Sequence, residues 1–176
     1  MKHIRFVPIG DYHAGGDAAA FKDHPEEFEW ALAQYLGAGT AACYRGGQLW
    51  NASTDTGAKI KAATASWVHF YKAHRETLIQ PIVHLRRADM QDWDGWLHVA
   101  PFAANGEIGV AMIFNPTDVA IERVVNFPLY YTGATDAVKV SVDEGDAVKT
   151  AVGRDFSIVV HFEMAPRSIH TVVVSK

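Results

Sequence analysis

The chain has 176 residues, 49% hydrophobic and 20% charged, with a formal net charge of −4. That suits one sizeable core or two small ones. The acidic balance gives no electrostatic footprint for nucleic acid, and no apolar run is long enough to span a membrane. The single cysteine, Cys43, excludes an internal disulfide and a cysteine-built zinc site.

The opening MKHIRFVPIG lacks a long apolar segment and a small-residue cleavage site, so no signal peptide is read and the compartment stays open. Ile4–Ile9 reads as a strand, with Pro8 marking its exit. The loop Gly10–His24 follows, carrying Asp11, Tyr12, His13 and Asp17 among glycines. Pro25 suits the first turn of a helix, and Glu26 and Glu27 complement its dipole. Phe28, Leu32, Tyr35 and Leu36 recur at helical spacing, and Gly37 and Gly39 stop the helix. Thr40–Tyr44 is a short run of small residues that suits a buried strand. After the loop Arg45–Ser53, Thr54 or Asp55 caps a long helix to about Leu78, with Ile60, Thr64, Trp67, Val68, Tyr71 and Leu78 as its apolar stripe. The order strand–loop–helix, twice over, implies parallel neighbouring strands.

Beyond residue 80 the helical period fades. Short strands are expected at Ile79–Leu85, Gly95–Pro101, Ile108–Asn115, Ala120–Phe127, Ala137–Val142, Ser157–Phe162 and Ser168–Ser175. The turns between them include Asn105-Gly106, Asn115-Pro116-Thr117-Asp118 and Glu144-Gly145-Asp146. This pattern argues for an antiparallel β-sandwich. The fold class is therefore α+β and multidomain: two βα units, resembling part of a barrel, over 1–78; a connection over 79–94; and a sandwich over 95–176. RRADMQDWDG, within the connection, reads as polar and exposed. Two βα units cannot close a barrel, and a lone parallel pair leaves both edges bare. Three completions are open: a mixed sheet with the β half, a second copy of the chain, or a preceding part of a longer protein. An uncovered apolar face in the first half predicts self-association.

Three stretches bear on the third option: EFEWALAQYLGAGTAACYRG, the helix end WVHFYKAHRETL, and DGWLHVAPFAANGEIGVAMIFNPTD. Together they resemble the C-terminal end of large bacterial glycoside hydrolases of the α-galactosidase-like group. There a TIM barrel closes with its last strand and helix and runs directly into a β-sandwich. The resemblance implies that Ile4–Ile9 and Thr40–Tyr44 correspond to the seventh and eighth barrel strands, with Gly10–His24 and Arg45–Ser53 on the catalytic rim. It also implies that the nucleophile and acid/base carboxylates come from earlier strands, which this chain does not contain. Since glycoside hydrolysis needs two carboxyls across the bond, the isolated chain is expected to be inactive.

The candidate substrate-binding residues are Asp11, His13, Asp17, Tyr44, Arg45 and Trp50. Asp11 and Asp17 can accept sugar hydroxyls. His13 is a loop hydrogen-bonding residue rather than a metal ligand, because its spacing to His3 and His24 matches no compact motif. Arg45 can hold a rim carboxylate or a hydroxyl, and Trp50 can stack on a pyranose. The expected partner is carbohydrate; no catalytic residue, metal or cofactor is assigned, since no nucleophile elbow, P-loop or dinucleotide fingerprint is present. Two other readings stand. One is a non-enzymatic carbohydrate-binding or assembly module using Trp50 or Tyr130-Tyr131. The other is an unrelated small enzyme with Asp11 and His13 as acid and base.

Overall fold

The computed structural model describes residues 6–9, 25–44 and 54–176. It divides into two compact units, Met1–Arg75 and Glu76–Lys176.

In the first unit, strands β1 (Phe6–Ile9) and β2 (Ala41–Tyr44) pair in parallel, with Phe6 opposite Ala41 and Ile9 opposite Tyr44. Helix α1 (Pro25–Gly37) connects them, and α2 (Asp55–Leu78) follows β2. Helix α1 buries Phe28, Leu32 and Leu36, one residue per turn along one face. Two residues past its end stands Gly39, whose φ of 71° is a left-handed conformation that glycine adopts without strain. Thr40 is read as part of a strand but belongs to the helix end: its backbone N–H and its hydroxyl both donate to Tyr35 O, at 3.0 and 2.7 Å.

Thr54 is the N-cap of α2, its Oγ1 accepting the Gly57 N–H at 3.1 Å. The buried stripe of α2 is Ile60, Trp67, Phe70 and Leu78, with Phe70 buried where the period had favoured Tyr71. Trp67 donates from Nε1 to Glu29 Oε1 at 3.3 Å, tying α2 to α1. No helix among the described residues is long and apolar enough to cross a membrane.

The second unit holds β3 (Ile82–Arg86), β4 (Asp94–Val99), β5 (Glu107–Asn115), β6 (Ile121–Pro128), β7 (Ala137–Val142), β8 (Val148–Ala151), β9 (Ser157–Met164) and β10 (Ser168–Ser175). All pairings are antiparallel. One sheet runs β3-β4-β5-β10-β7-β8, and β6-β9 forms the second. The core between them takes Leu97, Ala111, Ile113, Val140, Val172 and Val174 from the first sheet. From the second it takes Val125, Phe127, Ile158, Phe162 and Met164. The fold is the expected antiparallel sandwich, following two βα units in chain order.

Three details differ from the sequence reading. The strand expected at Ile79–Leu85 forms as β3, starting later at Ile82 and running to Arg86, an edge of the large sheet. β8 is a further strand, missed because VKTA is short and mostly exposed, as an edge strand can be. Finally, RRADMQDWDG is exposed only in part, since Asp94 and Gly95 are buried as the start of β4.

The expected turn Asn115-Pro116-Thr117-Asp118 is a polar lock. Asn115 is fully buried. Its Nδ2 donates to Val119 O, Met164 O and Ala165 O, and its Oδ1 accepts from the Thr117 N–H and hydroxyl. One side chain thus joins the end of β5 to the end of β9, which lies in the other sheet.

Candidate functional site

The parallel register of β1 and β2 has a direct consequence for the expected rim. Ile9 and Tyr44 are opposite one another. β1 and β2 therefore end at the same C-terminal edge, where parallel α/β sheets place ligand sites. Asp11, His13, Asp17, Arg45 and Trp50 lie outside the described residues. Tyr44 is the last residue of β2.

In the sandwich unit, the stretch from Arg86 to Trp96 is held by a dense polar network. Arg86 donates from Nη2 to Asp89 Oδ2 at 2.6 Å and from Nη1 to Asp89 Oδ1 at 3.1 Å, a two-pronged pair. Arg86 Nη1 also donates to Trp93 O at 2.6 Å. Asp89 Oδ1 further accepts the Gln91 and Asp92 N–H groups. The Arg86 hydrogen bonds, reinforced by those backbone donors, hold the Asp89 carboxyl down at about 2. Met90, at the tip, is held at φ 62°, a strained position for a side chain of this kind. Asp92 pairs with Arg123 Nε on β6 at 3.0 Å. The loop is fixed at both ends by charge.

Behind it lies a cavity of about 410 Å³ lined by His84, Arg86, Arg87, Asp94, Gly95 and Trp96. His84 and Trp96 are cross-strand partners, and a register shift between His84 and Arg86 bends β3 at this point. Gly95 is required here, since a Cβ would lie 2.4 Å from Met112 O on β5. Asp94 is 7% exposed. Burial pushes its carboxyl up to about 6, against the opposing pull of Arg86. Among the described residues no hydrogen bond reaches that carboxylate.

Two surface features complete the inventory. Tyr130 and Tyr131 are 64% and 63% exposed, so they are surface residues rather than packing at a strand end. Tyr131 and Phe156 each stand edge-on to Tyr130, at 5.3 and 5.6 Å. On β10, His170 bonds Asp143 Oδ2 through Nδ1 at 2.6 Å and Ser168 Oγ through Nε2 at 3.1 Å. That chain of contacts has the order of a catalytic triad, and Asp143 Oδ1 also accepts the Thr171 N–H at 2.8 Å, so the aspartate ties its turn to β10. Among the described residues no cluster of three metal-ligating side chains occurs.

No protein-family model matches the sequence, and no curated protein matches it. Solved structures do match in fold. A GH27 β-L-arabinopyranosidase from Geobacillus stearothermophilus aligns with 98% of this chain and 36% of its own, at 14% identity and a TM-score of 0.53. A Bacteroides fragilis protein described as an α-galactosidase aligns with 98% of this chain and 32% of its own, at 13% identity and a TM-score of 0.53. AmyP, solved with maltose, aligns with 86% of this chain and 35% of its own, at 9% identity and a TM-score of 0.54. The chain therefore spans about a third of the length of the glycoside-hydrolase structures it matches, and it shares their fold over that third.

Proposed function

We propose that this chain is the C-terminal portion of a barrel-type glycoside hydrolase of the α-galactosidase-like group. Its two βα units are the closing units of the barrel, and its sandwich supports them. Asp11, His13, Asp17, Tyr44, Arg45 and Trp50 contribute sugar contacts at the C-terminal edge of β1 and β2. The catalytic carboxylate pair comes from the preceding portion, so the chain is not a glycosidase by itself. The observation that carries this reading is the match over 98% of this chain but 36% of the longer enzyme. A parallel pair with open edges among the described residues is in keeping with it, because such a pair needs further strands to be stable.

The test is an assay of the chain on aryl α- and β-glycosides. No turnover above the buffer rate is expected, and turnover at ordinary enzyme rates overturns the proposal. Light scattering on the same preparation checks the open pair. Self-association is expected, and a clean monomer with a stably folded first unit contradicts the need for a covering partner.

A second reading, a non-enzymatic sugar-binding sandwich, is favoured by the exposure of Tyr130 and Tyr131. Sugar binding abolished by Tyr130→Ala and Tyr131→Ala, yet indifferent to Arg45→Ala, would favour it over the first.

A further inference from the structure

The strongest unassigned feature is a group of three aromatic side chains on the surface of the sandwich unit. Tyr130 and Tyr131 are 64% and 63% exposed, and Phe156 is 39% exposed. Those values hold with the rings in contact. Tyr131 and Phe156 each stand nearly perpendicular to Tyr130, with centroids at 5.3 and 5.6 Å. The rings therefore make one continuous surface, much of it open to water. Two loops apart in sequence supply it: Tyr130 and Tyr131 belong to the short 3-10 helix Tyr130–Thr132 after β6, and Phe156 to the turn before β9.

The backbone fixes this surface from beneath. Leu129 and Thr132, on either side of the two tyrosines, are fully buried. The Thr132 hydroxyl donates to Leu129 O at 2.7 Å, and Gly133 closes the turn at φ 73°. Phe156 stands at φ 59°, a left-handed conformation that a bulky side chain rarely takes. Two hydrogen bonds hold it there: its N–H donates to Gly153 O at 2.9 Å, and the Leu129 N–H donates to its carbonyl at 2.7 Å. The second bond ties the Phe156 turn directly to the tyrosine turn. A glycine or a small polar residue would suit that backbone better, so the fold bears a cost to keep a ring facing water there.

Size and chemistry narrow the occupant. Aromatic side chains present ~150–250 Å² each, so the open part of the three is on the order of 300 Å². That is under half of the ~800 Å² that each partner of a stable protein interface covers, which favours a smaller ligand over a protein. The ring faces pack on apolar C–H groups, and the two phenol hydroxyls both donate and accept. A pyranose, with apolar C–H faces and hydroxyls around its edge, matches both properties, whereas a hydrocarbon makes no use of the hydroxyls. Rings spaced at 5.3 and 5.6 Å extend further than one sugar ring can cover. We propose that Tyr130, Tyr131 and Phe156 form a docking platform for successive pyranose units of a linear glycan. The proposal rests on the sugar-binding sandwich reading above and deepens it: the ligand is a chain rather than a single sugar, and Phe156 is a contact of its own.

The experiment is calorimetric titration of the full chain with maltotriose, mannotriose and cellotriose. The matching methyl pyranosides serve as single-ring controls, and tetramethylammonium as a cation that aromatic faces also bind. Saturable binding of at least one trisaccharide is expected, about tenfold or more tighter than its methyl glycoside, with backbone amide shifts centred on residues 130–134 and 153–157. Tyr130→Ala and Tyr131→Ala should each weaken it about tenfold or more. Phe156→Gly should do the same, and it guards against a variant that merely fails to fold, because glycine adopts φ 59° without strain. Arg45→Ala should leave the affinity unchanged. Binding lost in Arg45→Ala but kept in the three platform variants overturns the platform and leaves sugar binding at the rim standing. No saturable binding of any sugar overturns the platform and the sugar-binding sandwich together. Equal affinity for a trisaccharide and its methyl glycoside overturns the proposal, as does tighter binding of tetramethylammonium than of any trisaccharide. Self-association lost in the tyrosine variants, with no sugar bound, would also overturn it and assign the patch to a protein contact.

Discussion

The two units answer the same question, where a strand's hydrogen bonds go, in opposite ways. The sandwich unit builds one sheet of six strands and a second of two, and closes a core between them on Phe127, Phe162, Ile113 and Val172. It also fastens the two sheets with polar side chains, through Asn115 and through the Asp92–Arg123 pair. The first unit, among the described residues, has two strands in parallel with helices attached and no third strand beside them. Parallel sheets of two strands are not stable alone, because both edges are bare and crossover helices need a broad sheet to cover. The difference teaches that, among the described residues, one unit closes a core of its own while the other leaves both edges of its strand pair open, as the proposed closing units of a barrel would.

Several substitutions can sharpen or break this contrast. Phe127→Ala removes a fully buried ring from between the two sheets, where it meets Phe162 at 6.3 Å. It should cost about 3–5 kcal/mol and lower the main unfolding transition in urea. Leu32→Ala empties an equally buried position on α1 and should cost about 2–5 kcal/mol within the first unit. It should leave the sandwich transition, read by near-ultraviolet circular dichroism, where it was. A shared shift of both transitions would break the contrast.

Asn115→Ala strips the donors from three carbonyls at the β5–β9 lock and should cost about 1–3 kcal/mol in urea titration. The effect of Asp94 is smaller and pH-dependent. Its carboxyl sits at about 6 when folded, against 3.8 as the ordinary value. Between these values the unfolded chain has lost its proton while the folded chain keeps it, so stability falls as pH rises through that window. Below it the penalty is absent; above it the penalty is complete. Arg86 opposes the shift and Asp89 adds to it. Asp94→Asn should remove this slope, seen as a difference between the two unfolding midpoints that grows from pH 4 to pH 6. Smallest of all is Arg123→Ala. The pair it forms with Asp92 is partly exposed, and its loss should cost under about 1 kcal/mol.

Much of this architecture is legible in the sequence because local chemistry and tertiary structure agree. Pro25 with Glu26 and Glu27, and Thr54 before a long periodic run, mark helix starts that depend only on backbone donors and the dipole. The turn at Asn115 is visible as a turn, but its bonds to Met164 and Ala165 join residues about fifty positions apart, which no local pattern encodes. Asp94, expected within an exposed connector, is buried at the start of β4 for a similar reason. Its burial follows from the pairing of β4 with β3 and β5, and from the close approach at Gly95, not from its neighbours in sequence. The candidate sugar contacts are of a different kind: Tyr44 ends β2, and the other five lie in the sequence segments that follow β1 and β2, so their proposed role depends on the edge at which the two strands end together.

Hydrogen exchange on the intact chain, read by mass spectrometry strand by strand, tests the central contrast most directly. The account predicts that amides of β4, β5 and β10 exchange only through global unfolding of the sandwich. Those of β1 and β2 should exchange at least a hundredfold faster until a preceding barrel portion or a second copy covers them. Equal protection of β1, β2 and the sandwich strands in a monomer would contradict the reading of the first unit as the unfinished end of a barrel.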